Sequence, residues 1–337
     1  MKALVWTAPR QLEYKDWPDP ELDDGEALVR VRGVSICGSD LHGWLGHSRG
    51  RVPPLVLGHE LAGEVVEVRG GQEILKTSRR VAVYPIIGCG QCRYCCSGRD
   101  YLCGSRKVLG LHVDGGLAEC IKAPVKNLYP IPEKVNFAAG ALVEPLACGL
   151  HMAGLAAEEK GPAVVLGAGP IGLAALLAAR RAGFPKIAVS EINAGRRAIA
   201  TKLGADLAVN PQEAGAVEAL TRFFGEEGCA VVFDAAGFAP TRQLALKLVR
   251  TGGLIVLAGL GEQETALDCV EVIRREIRIA GSFAYNRQEF QQTIEWVASG
   301  RVSFEGWVSE APLAEGQSVF EELVRPDARR IKVVLKP

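Results

Sequence analysis

The fold is decided by the sequence VVLGAGPIG, residues 164–172, together with the apolar run that follows it. Its first three residues read as a short buried strand, and Leu173–Arg180 has the composition of a helix. Gly167 permits a tight turn, Gly169 lets the backbone approach a pyrophosphate, and Gly172 allows the helix to pack closely on the strand. The stretch therefore predicts a dinucleotide site in which phosphates face the amino end of a helix.

An acidic residue, Glu191, ends the next predicted strand, 19 residues beyond Gly172. A carboxylate there accepts hydrogen bonds from a ribose diol and repels a 2′-phosphate, so we expect NAD rather than NADP. The alternative is that Glu191 is a solvated acid and that Arg196 or Arg197 holds a phosphate. The predicted cofactor contacts in this region are Gly167, Gly169, Pro170, Ile171, Gly172, Glu191 and Arg196.

Outward from this stretch, strands and helices alternate over residues 146–282. The apolar runs are Ala163–Leu166, Ile187–Ser190, Val231–Asp234 and Leu254–Ala258, and helical segments such as Gly172–Ala182 and Ala194–Leu203 separate them. Alternation of this kind predicts an α/β protein with a doubly wound parallel sheet. Residues 1–145 read as β-rich, and residues 283–337 are too few for a domain of their own. We predict two domains: 1–145 completed by 283–337, and 146–282.

One uncharged stretch, Gly161–Ala179, is long enough to suggest a membrane span. Glycines and prolines interrupt it, and a strand, a glycine turn and a buried helix explain it better. The first residues lack a charged n-region followed by an apolar h-region, so we expect no signal peptide. We therefore predict no membrane association and a cytoplasmic location.

The composition limits the classes of partner. The chain has 337 residues, with 39 Lys and Arg against 39 Asp and Glu, so the total charge does not favour nucleic acid or an anionic membrane. Ten cysteines would suggest disulfides in a small secreted protein. Without export, clustered cysteines are better interpreted as metal ligands.

Four cysteines follow the spacing C-x2-C-x2-C-x7-C within residues 88–104. This spacing lets one loop wrap four thiolates around a single Zn²⁺ and leaves no open coordination position, so we predict a structural zinc. The alternatives are a redox pair, reduced surface thiols or a nucleic-acid-binding ribbon, and the neutral charge argues against the last. Cys96 does not fit the tetrad. The predicted ligands are Cys89, Cys92, Cys95 and Cys103.

A second metal site is predicted from separate segments, namely Cys37, His59 and a carboxylate. A thiolate, an imidazole and a carboxylate leave a fourth position for water or a substrate oxygen, which is typical of catalytic zinc. A single histidine is more often structural than a ligand. The weight comes from the adjacent Glu60 and from the other motifs of the chain.

With these motifs in order, the chain resembles the zinc-dependent medium-chain alcohol dehydrogenase family over essentially its whole length. The wording is most similar to the polyol branch of sorbitol, 2,3-butanediol and threonine dehydrogenases. The motifs are Cys37–His42, Gly58–Glu60, the four-cysteine loop, Asp114–Glu119, Val143–Ala147 and Gly167–Gly172. The resemblance implies a GroES-like catalytic domain beside a Rossmann NAD-binding domain, with two zinc ions per chain.

The resemblance also implies roles at the catalytic zinc. Cys37 and His59 match ligands of this metal. In the polyol branch the position of Glu60 ligates zinc and that of Glu144 holds the zinc-bound water, whereas in other branches the position of Glu144 is the direct ligand. Both positions hold a carboxylate here, so either can serve as the ligand, or the two can exchange during turnover.

Further roles follow from the same resemblance. Ser39 matches the hydroxyl that bonds the substrate alcohol, and His42 matches the end of a proton relay that reaches solvent through the nicotinamide ribose. Lys332 matches a basic residue that contacts the pyrophosphate. The predicted activity is hydride transfer between NAD and a secondary alcohol, diol or polyol. The family also implies a homodimer or homotetramer.

The segment Gly43–His47 differs from the wording expected of sorbitol or threonine dehydrogenase, so the substrate is not fixed by the sequence. Trp44 and Tyr285 are candidates for an apolar pocket lining or for ordinary core aromatics. The alternatives are an L-threonine 3-dehydrogenase or a sugar-phosphate polyol dehydrogenase. Arg49 and Arg51 are candidate phosphate contacts for the second of these, or else solvated loop residues. A non-enzymatic dinucleotide-binding protein and a zinc-free quinone reductase are further alternatives, and the full set of catalytic residues and the cysteines argue against them.

Overall fold

The computed structural model describes residues 1–48, 50–70, 79–325 and 327–337. The described strands are β1 (Lys2–Ala8), β2 (Gln11–Asp16), β3 (Glu26–Ser35), β4 (Leu55–Val56), β5 (Glu60–Arg69), β6 (Arg80–Val83), β7 (Ile86–Ile87), β8 (Lys107–Val108), β9 (Cys120–Pro124), β10 (Leu128–Pro130), β11 (Ala163–Leu166), β12 (Ile187–Ser190), β13 (Leu207–Val209), β14 (Cys229–Asp234), β15 (Val249–Leu257), β16 (Arg278–Gly281), β17 (Val308–Pro312) and β18 (Lys332–Lys336).

The described α-helices are α1 (Gly38–Trp44), α2 (Arg93–Cys96), α3 (Phe137–Ala141), α4 (Val143–Leu155), α5 (Pro170–Arg181), α6 (Ala194–Lys202), α7 (Ala216–Phe224), α8 (Ala239–Leu248), α9 (Cys269–Arg274), α10 (Arg287–Ala298) and α11 (Gly316–Leu323). The chain divides into two compact units. The first contains Met1–Glu144 and Asn286–Pro337, and the second contains Pro145–Tyr285.

The first unit is built on a seven-stranded sheet in the order β10-β6-β5-β3-β18-β17, with β9 also paired to β3. β3 shows why these residues form a strand, since Val29 and Val31 are buried while the residues that follow each of them, Arg30 and Arg32, are exposed. This alternation places one face of the strand on an apolar core. The last strand, β18, lies between β3 and β17, so the end of the chain completes the sheet formed by its beginning.

The second unit is a six-stranded sheet in the order β13-β12-β11-β14-β15-β16, in which every neighbouring pair is parallel. β11, β12 and β14 are buried along their whole length, which is typical of parallel strands covered on both faces. This is the strand order of a dinucleotide-binding sheet, and the predicted fold class is confirmed.

The uncharged stretch Gly161–Ala179 forms β11 and most of α5, as the glycine and proline pattern predicts. Pro170 lies in the first turn of α5, where its missing N–H leaves no hydrogen bond unmade. Among the described residues, no helix combines the length and the apolar character needed to cross a membrane.

Candidate functional site

Three metal-binding side chains of the first unit converge. Cys37 is the residue that precedes α1, Glu60 is the first residue of β5, and His59 immediately precedes that strand. One ligand atom from each of the three lies within 4.8 Å of the other two. His59 is 8% exposed and Glu60 is fully buried. Cys37 is half-buried, and a thiolate, an imidazole and a carboxylate in one cluster fit a zinc ion that keeps a further position open.

Asp40 lies behind His59, and sequence reasoning gave it no role. Its Oδ1 is 3.3 Å from His59 Nδ1, and its Oδ2 accepts a hydrogen bond from the Cys37 amide at 3.2 Å. Burial raises the pKa of Asp40. The neighbouring His59 and Arg51 lower this pKa by more than burial raises it, so the net pKa lies below the ordinary value. The two atoms are at ion-pair distance without hydrogen-bond geometry, and a carboxylate on the Nδ1 side leaves Nε2 as the nitrogen available to a metal. The signal was present in the sequence as an acid three residues after Cys37.

Glu60 is held by two buried donors. The Ser35 hydroxyl donates to Oε2, and Lys332 Nζ donates to Oε1 at 2.7 Å. Lys332 also donates to the Ile36 carbonyl at 2.8 Å, and its side chain is 1% exposed. The prediction that Lys332 contacts a pyrophosphate is not supported by this placement, because a buried ammonium needs a buried counter-charge and Glu60 supplies it.

Glu144 is also buried, in the first turn of α4, with 8% of its surface exposed. Its charge contributes to the raised pKa of Lys332, although burial opposes that rise and Glu60 and Cys37 contribute more. The cluster of ligand atoms within 4.8 Å contains Glu60 and does not contain Glu144. The geometry therefore favours Glu60 over Glu144 as the third ligand, beside Cys37 and His59.

The two predicted relay residues lie on α1. Ser39 is partly buried and His42 is exposed, and their spacing of three residues places them on the same side of the helix. Burial, with His47 and Arg51 nearby, lowers the pKa of His42. An imidazole with a lowered pKa is neutral at neutral pH, which lets it accept a proton.

The two arginines proposed as phosphate contacts have different outcomes. Arg51 is 7% exposed and donates to Asp40 Oδ1 at 3.0 Å, to the Ser39 carbonyl at 2.6 Å and to the Gly110 carbonyl at 3.0 Å. Its guanidinium is thus occupied by internal partners, and this prediction is wrong for Arg51. Arg49 lies outside the described residues.

The aromatic residues proposed for a pocket lining are in the cores. Trp44 is 1% exposed and packs edge-on against Phe320, with ring centroids 5.9 Å apart. Tyr285 is fully buried. The second of the two interpretations of these aromatics, as ordinary core residues, is the one that the structure supports.

The four-cysteine loop also forms a cluster, since the Sγ atoms of Cys89, Cys92, Cys95 and Cys103 all lie within 4.8 Å of one another. Cys92 precedes the short helix α2, and backbone amides of Gln91 and Cys92 lower the pKa of Cys89 to about 6. Four thiolates in one group fit a tetrahedral zinc ion. Cys96 is exposed and donates to the Gln91 carbonyl, outside the cluster.

Glycine at position 88 makes this arrangement possible, because a Cβ there would lie 2.8 Å from Cys95 Sγ. The loop is anchored through Asp100, which accepts hydrogen bonds from the Tyr84 hydroxyl and from Arg287 Nε, each at 2.8 Å. Arg287 also donates to Asn127 Oδ1 at 2.8 Å. Sequence reasoning missed these partners, which come from three separate segments.

In the second unit the glycine loop joins β11 to α5. Gly167 has a left-handed backbone with φ of +91°, and a Cβ there would lie 3.0 Å from that of Ala236. A Cβ on Gly172 would overlap the Gly167 carbonyl, whereas Gly169 has open space around it and precedes α5. The first and third glycines are therefore required by packing, and the second leaves room for a phosphate to approach.

Glu191 closes on this loop. Its Oε2 accepts from the Ala168 amide at 2.6 Å and its Oε1 accepts from the Asn193 amide at 2.8 Å. Arg197 donates to the Glu191 and Ile192 carbonyls, and the Arg196 amide donates to Asn193 Oδ1 at 3.0 Å. The carboxylate is thus fixed beside the glycine turn at the carboxyl end of β12.

Comparisons with known proteins agree with this arrangement. Residues 23–133 match the model of the alcohol dehydrogenase GroES-like domain, and residues 170–299 match the model of the zinc-binding dehydrogenase domain. The chain is 33% identical to sorbitol dehydrogenase from Bacillus subtilis (strain 168), over 100% of this chain and 97% of that protein.

Two solved structures are similar over the whole chain. One, provisionally assigned as a zinc-binding dehydrogenase from Sinorhizobium meliloti 1021 and bound to NADP, has a TM-score of 0.92 and 31% identity, covering 100% of this chain and 99% of that one. The other, a short chain alcohol dehydrogenase from Escherichia coli CFT073 complexed with NADH, has a TM-score of 0.92 and 27% identity, with coverage of 100% and 99%.

Proposed function

The chain belongs to the zinc-dependent medium-chain alcohol dehydrogenase family, and on this premise we propose that it oxidises a secondary alcohol, diol or polyol with NAD. The observation that carries the proposal is the cluster of the half-buried Cys37 with the buried His59 and Glu60, and Cys37 lies two residues before Ser39 in the chain. A non-enzymatic protein on the same scaffold would not need this set of side chains.

We assign the catalytic zinc to Cys37, His59 and Glu60, with Glu144 as the carboxylate nearby. Bound there, zinc supplies a Lewis acid for the substrate hydroxyl. Asp40 fixes the His59 ring, and Lys332 with Ser35 fixes the Glu60 carboxylate. The second zinc, held by the four-cysteine loop, has a structural role because four thiolates leave no position for a substrate.

Ser39 and His42 are assigned to proton transfer. The Ser39 hydroxyl takes the proton of the substrate alcohol as it gives up its own, which passes through the nicotinamide ribose to the neutral imidazole of His42 and from there to solvent. The exposure of His42, the partial burial of Ser39 and their spacing on α1 support this direction. Ser39 is again a neutral hydroxyl after the transfer, and His42 must release its proton to solvent before the next turnover.

The dinucleotide is assigned to the carboxyl end of the parallel sheet. The amino end of α5 faces the pyrophosphate, and Glu191 accepts hydrogen bonds from the adenosine ribose. NAD supplies the hydride acceptor. A fixed carboxylate disfavours a 2′-phosphate, so we propose NAD as the preferred cofactor even though one similar structure is bound to NADP.

A polyol is the proposed substrate class, supported by the similarity to a sorbitol dehydrogenase. The occupied guanidinium of Arg51 gives no support to a phosphorylated substrate. The first unit is proposed as the catalytic domain and the second as the nucleotide-binding domain.

We further propose a homodimer or homotetramer. Among the described strands, β16 is at the edge of its sheet and offers unpaired backbone groups. The side chains of Ile279 on this strand and Ile273 on α9 are 40% and 73% exposed.

All ten cysteines lie in the described part of the chain and none forms a disulfide, which fits the reducing cytoplasm.

The test is NADH formation with a panel of secondary alcohols, vicinal diols, polyols, threonine and a polyol phosphate, on protein whose zinc content is measured in parallel. We expect activity on diols or polyols with two zinc ions per chain. Activity restricted to the phosphate ester would overturn the substrate class. Fully zinc-loaded protein that binds NADH but oxidises no panel member would overturn the proposed function.

A further inference from the structure

Arg51 contacts two parts of the site. One is Asp40, which lies behind the ligand side chains of Cys37, His59 and Glu60 (the metal cluster), and the other is Ser39 of the proton relay. We propose that Arg51 is a positioning residue of the catalytic site, which holds Asp40 against His59 and fixes the segment of α1 that carries Ser39. The proposal rests on the proposed function for its kinetic consequence, but its structural consequence for metal binding does not depend on the substrate.

The contacts of the guanidinium carry the proposal. Nη2 donates to Asp40 Oδ1 at 3.0 Å, Nη1 donates to the Ser39 carbonyl at 2.6 Å, and Nε donates to the Gly110 carbonyl at 3.0 Å. Nη2 also lies 3.5 Å from Ser39 Oγ. A rigid planar fork thus joins two consecutive residues of α1 to the loop at Gly110, which a lysine ammonium cannot do with the same geometry.

Asp40 transmits the effect to the metal cluster. Its Oδ1 is shared between Arg51 and His59 Nδ1, while its Oδ2 accepts from the Cys37 amide. One carboxylate therefore touches both the imidazole and the backbone of two proposed zinc ligands. Because the side chain of Asp40 is fully buried, its charge needs a buried cation, and Arg51, whose side chain is 4% exposed, supplies it.

The helix is shaped to admit this guanidinium. A Cβ at position 43 would lie 2.5 Å from Arg51 Cδ and 3.0 Å from Nε, so the glycine in α1 leaves the space in which the arginine lies. The space for the guanidinium therefore depends on Gly43 and Arg51 together.

A purely structural ion pair would predict something different. It would lower stability when removed and leave the metal affinity and the turnover of the folded protein unchanged. A positioning role predicts that folded variants lose affinity for the zinc held by Cys37, His59 and Glu60, because outer partners of a metal ligand typically contribute about 10–100-fold to affinity or activity.

The experiment compares Arg51→Lys and Arg51→Met with the native protein and with Arg32→Met. Arg32 is a matched control because it pairs with Glu64 at 2.7 Å on the surface, with 43% of its side chain exposed. Zinc per chain is measured against rising concentrations of a chelator, and kcat and KM are measured with zinc in excess on the best substrate of the panel.

We expect Arg51→Met to lose the more weakly held zinc at about 10–100-fold lower chelator concentration than the native protein. Arg51→Lys should restore most of this affinity, because it keeps a cation beside Asp40, but its kcat should remain about tenfold low without the fork on Ser39, with KM for NAD unchanged. Arg32→Met should behave as the native protein.

Chelator curves and kcat values within twofold of native for folded Arg51→Lys and Arg51→Met would overturn the proposal. If Arg51→Met does not fold, Arg51→Lys carries the test through its kcat, and a native kcat there overturns the role on Ser39. If the native protein oxidises nothing in the panel, the proposed function fails, while the chelator curves still decide whether Arg51 supports the metal cluster.

Discussion

Lys332 Nζ donates a hydrogen bond to Glu60 Oε1 at 2.7 Å, and neither side chain is more than 1% exposed. The ammonium comes from the last strand and the carboxylate from the start of β5, 272 residues apart. The same nitrogen also donates to the Ile36 carbonyl, next to Cys37. One buried cation therefore neutralises the carboxylate of the metal cluster and ties the end of the chain to it.

In the zinc-free protein, replacing Lys332 by methionine should lower the free energy of unfolding by about 3–5 kcal/mol, because an unpaired charge is left buried on Glu60. Lys336→Met is the matched control on the same strand. Its ammonium pairs with Glu310 and is 49% exposed, so we expect a loss of about 0–1 kcal/mol. Urea unfolding measures both, and equal small losses would mean that the Glu60 charge does not need this partner.

Ser39→Ala should lower the rate of alcohol oxidation by about 100-fold or more, because the substrate proton loses its first acceptor. NADH binding, followed by its fluorescence, should stay unchanged. Ser97→Ala, in the four-cysteine loop and distant in sequence, serves as the control for loss of a hydroxyl. Native turnover by Ser39→Ala would remove this residue from the relay.

His42 should govern the acidic side of the pH profile. Burial, His47 and Arg51 lower its pKa from the ordinary 6.5, so the neutral acceptor form persists below that pH. Oxidation should decline as the pH falls through this lowered pKa, since the protonated ring cannot accept a proton. Because His47 contributes to the lowering, His47→Ala should move the decline to higher pH, and His42→Ala should abolish it. An acidic decline unchanged in both variants would contradict the assignment.

Glu191→Ala should weaken the binding of NAD and reduce the preference for NAD over NADP. The reason is that the variant lacks the carboxylate that accepts hydrogen bonds from the ribose and repels a 2′-phosphate. The ratio of kcat/KM for the two cofactors is the measurement. Glu213→Ala, whose side chain is 67% exposed, is the control. A native protein that already prefers NADP would show that Glu191 acts only as a support for the Ala168 and Asn193 amides.

Cys95→Ser should lower stability more than it alters chemistry, because it removes one of four thiolates from a closed metal cluster. Cys96→Ser is the matched control on the next residue, exposed and outside the cluster. Melting temperature, zinc content and kcat are compared for the two variants. The structural assignment fails if Cys95→Ser is as stable as Cys96→Ser but has lost all activity.

The sequence predicts the central strands of the second unit because they are short apolar runs with glycine turns between them. The run Ala163–Leu166 is β11 and Ile187–Ser190 is β12, with the bounds that hydrophobicity indicates. The other two runs fall on β14 and β15, which begin two and five residues earlier than predicted, and no run predicts β13 or β16. Full burial on both faces leaves few alternatives for such segments. Likewise, the cysteine spacing predicts the cluster at Cys89–Cys103 because ligands close in sequence can meet only in one loop.

The sequence does not predict the buried partners of the first unit. Arg51 and Lys332 were interpreted as cations for phosphate groups, yet both lie inside, opposite Asp40 and Glu60. A charged residue carries no mark of its own burial when its counter-charge is distant in the chain. Trp44 shows the same limit, since an aromatic beside a proposed site can belong to the core.

The position of β18 between β3 and β17 has a consequence for biosynthesis. The ribosome synthesises Cys37, His59 and Glu60 early, whereas Lys332, the cation that pairs with Glu60, is added 272 residues after Glu60. In that interval the whole second unit, Pro145–Tyr285, is made, and as a contiguous segment it can fold first. The site whose ligands are translated first is thus among the last to be completed. Nascent chains that stall before β18 would lack the Lys332 partner of Glu60.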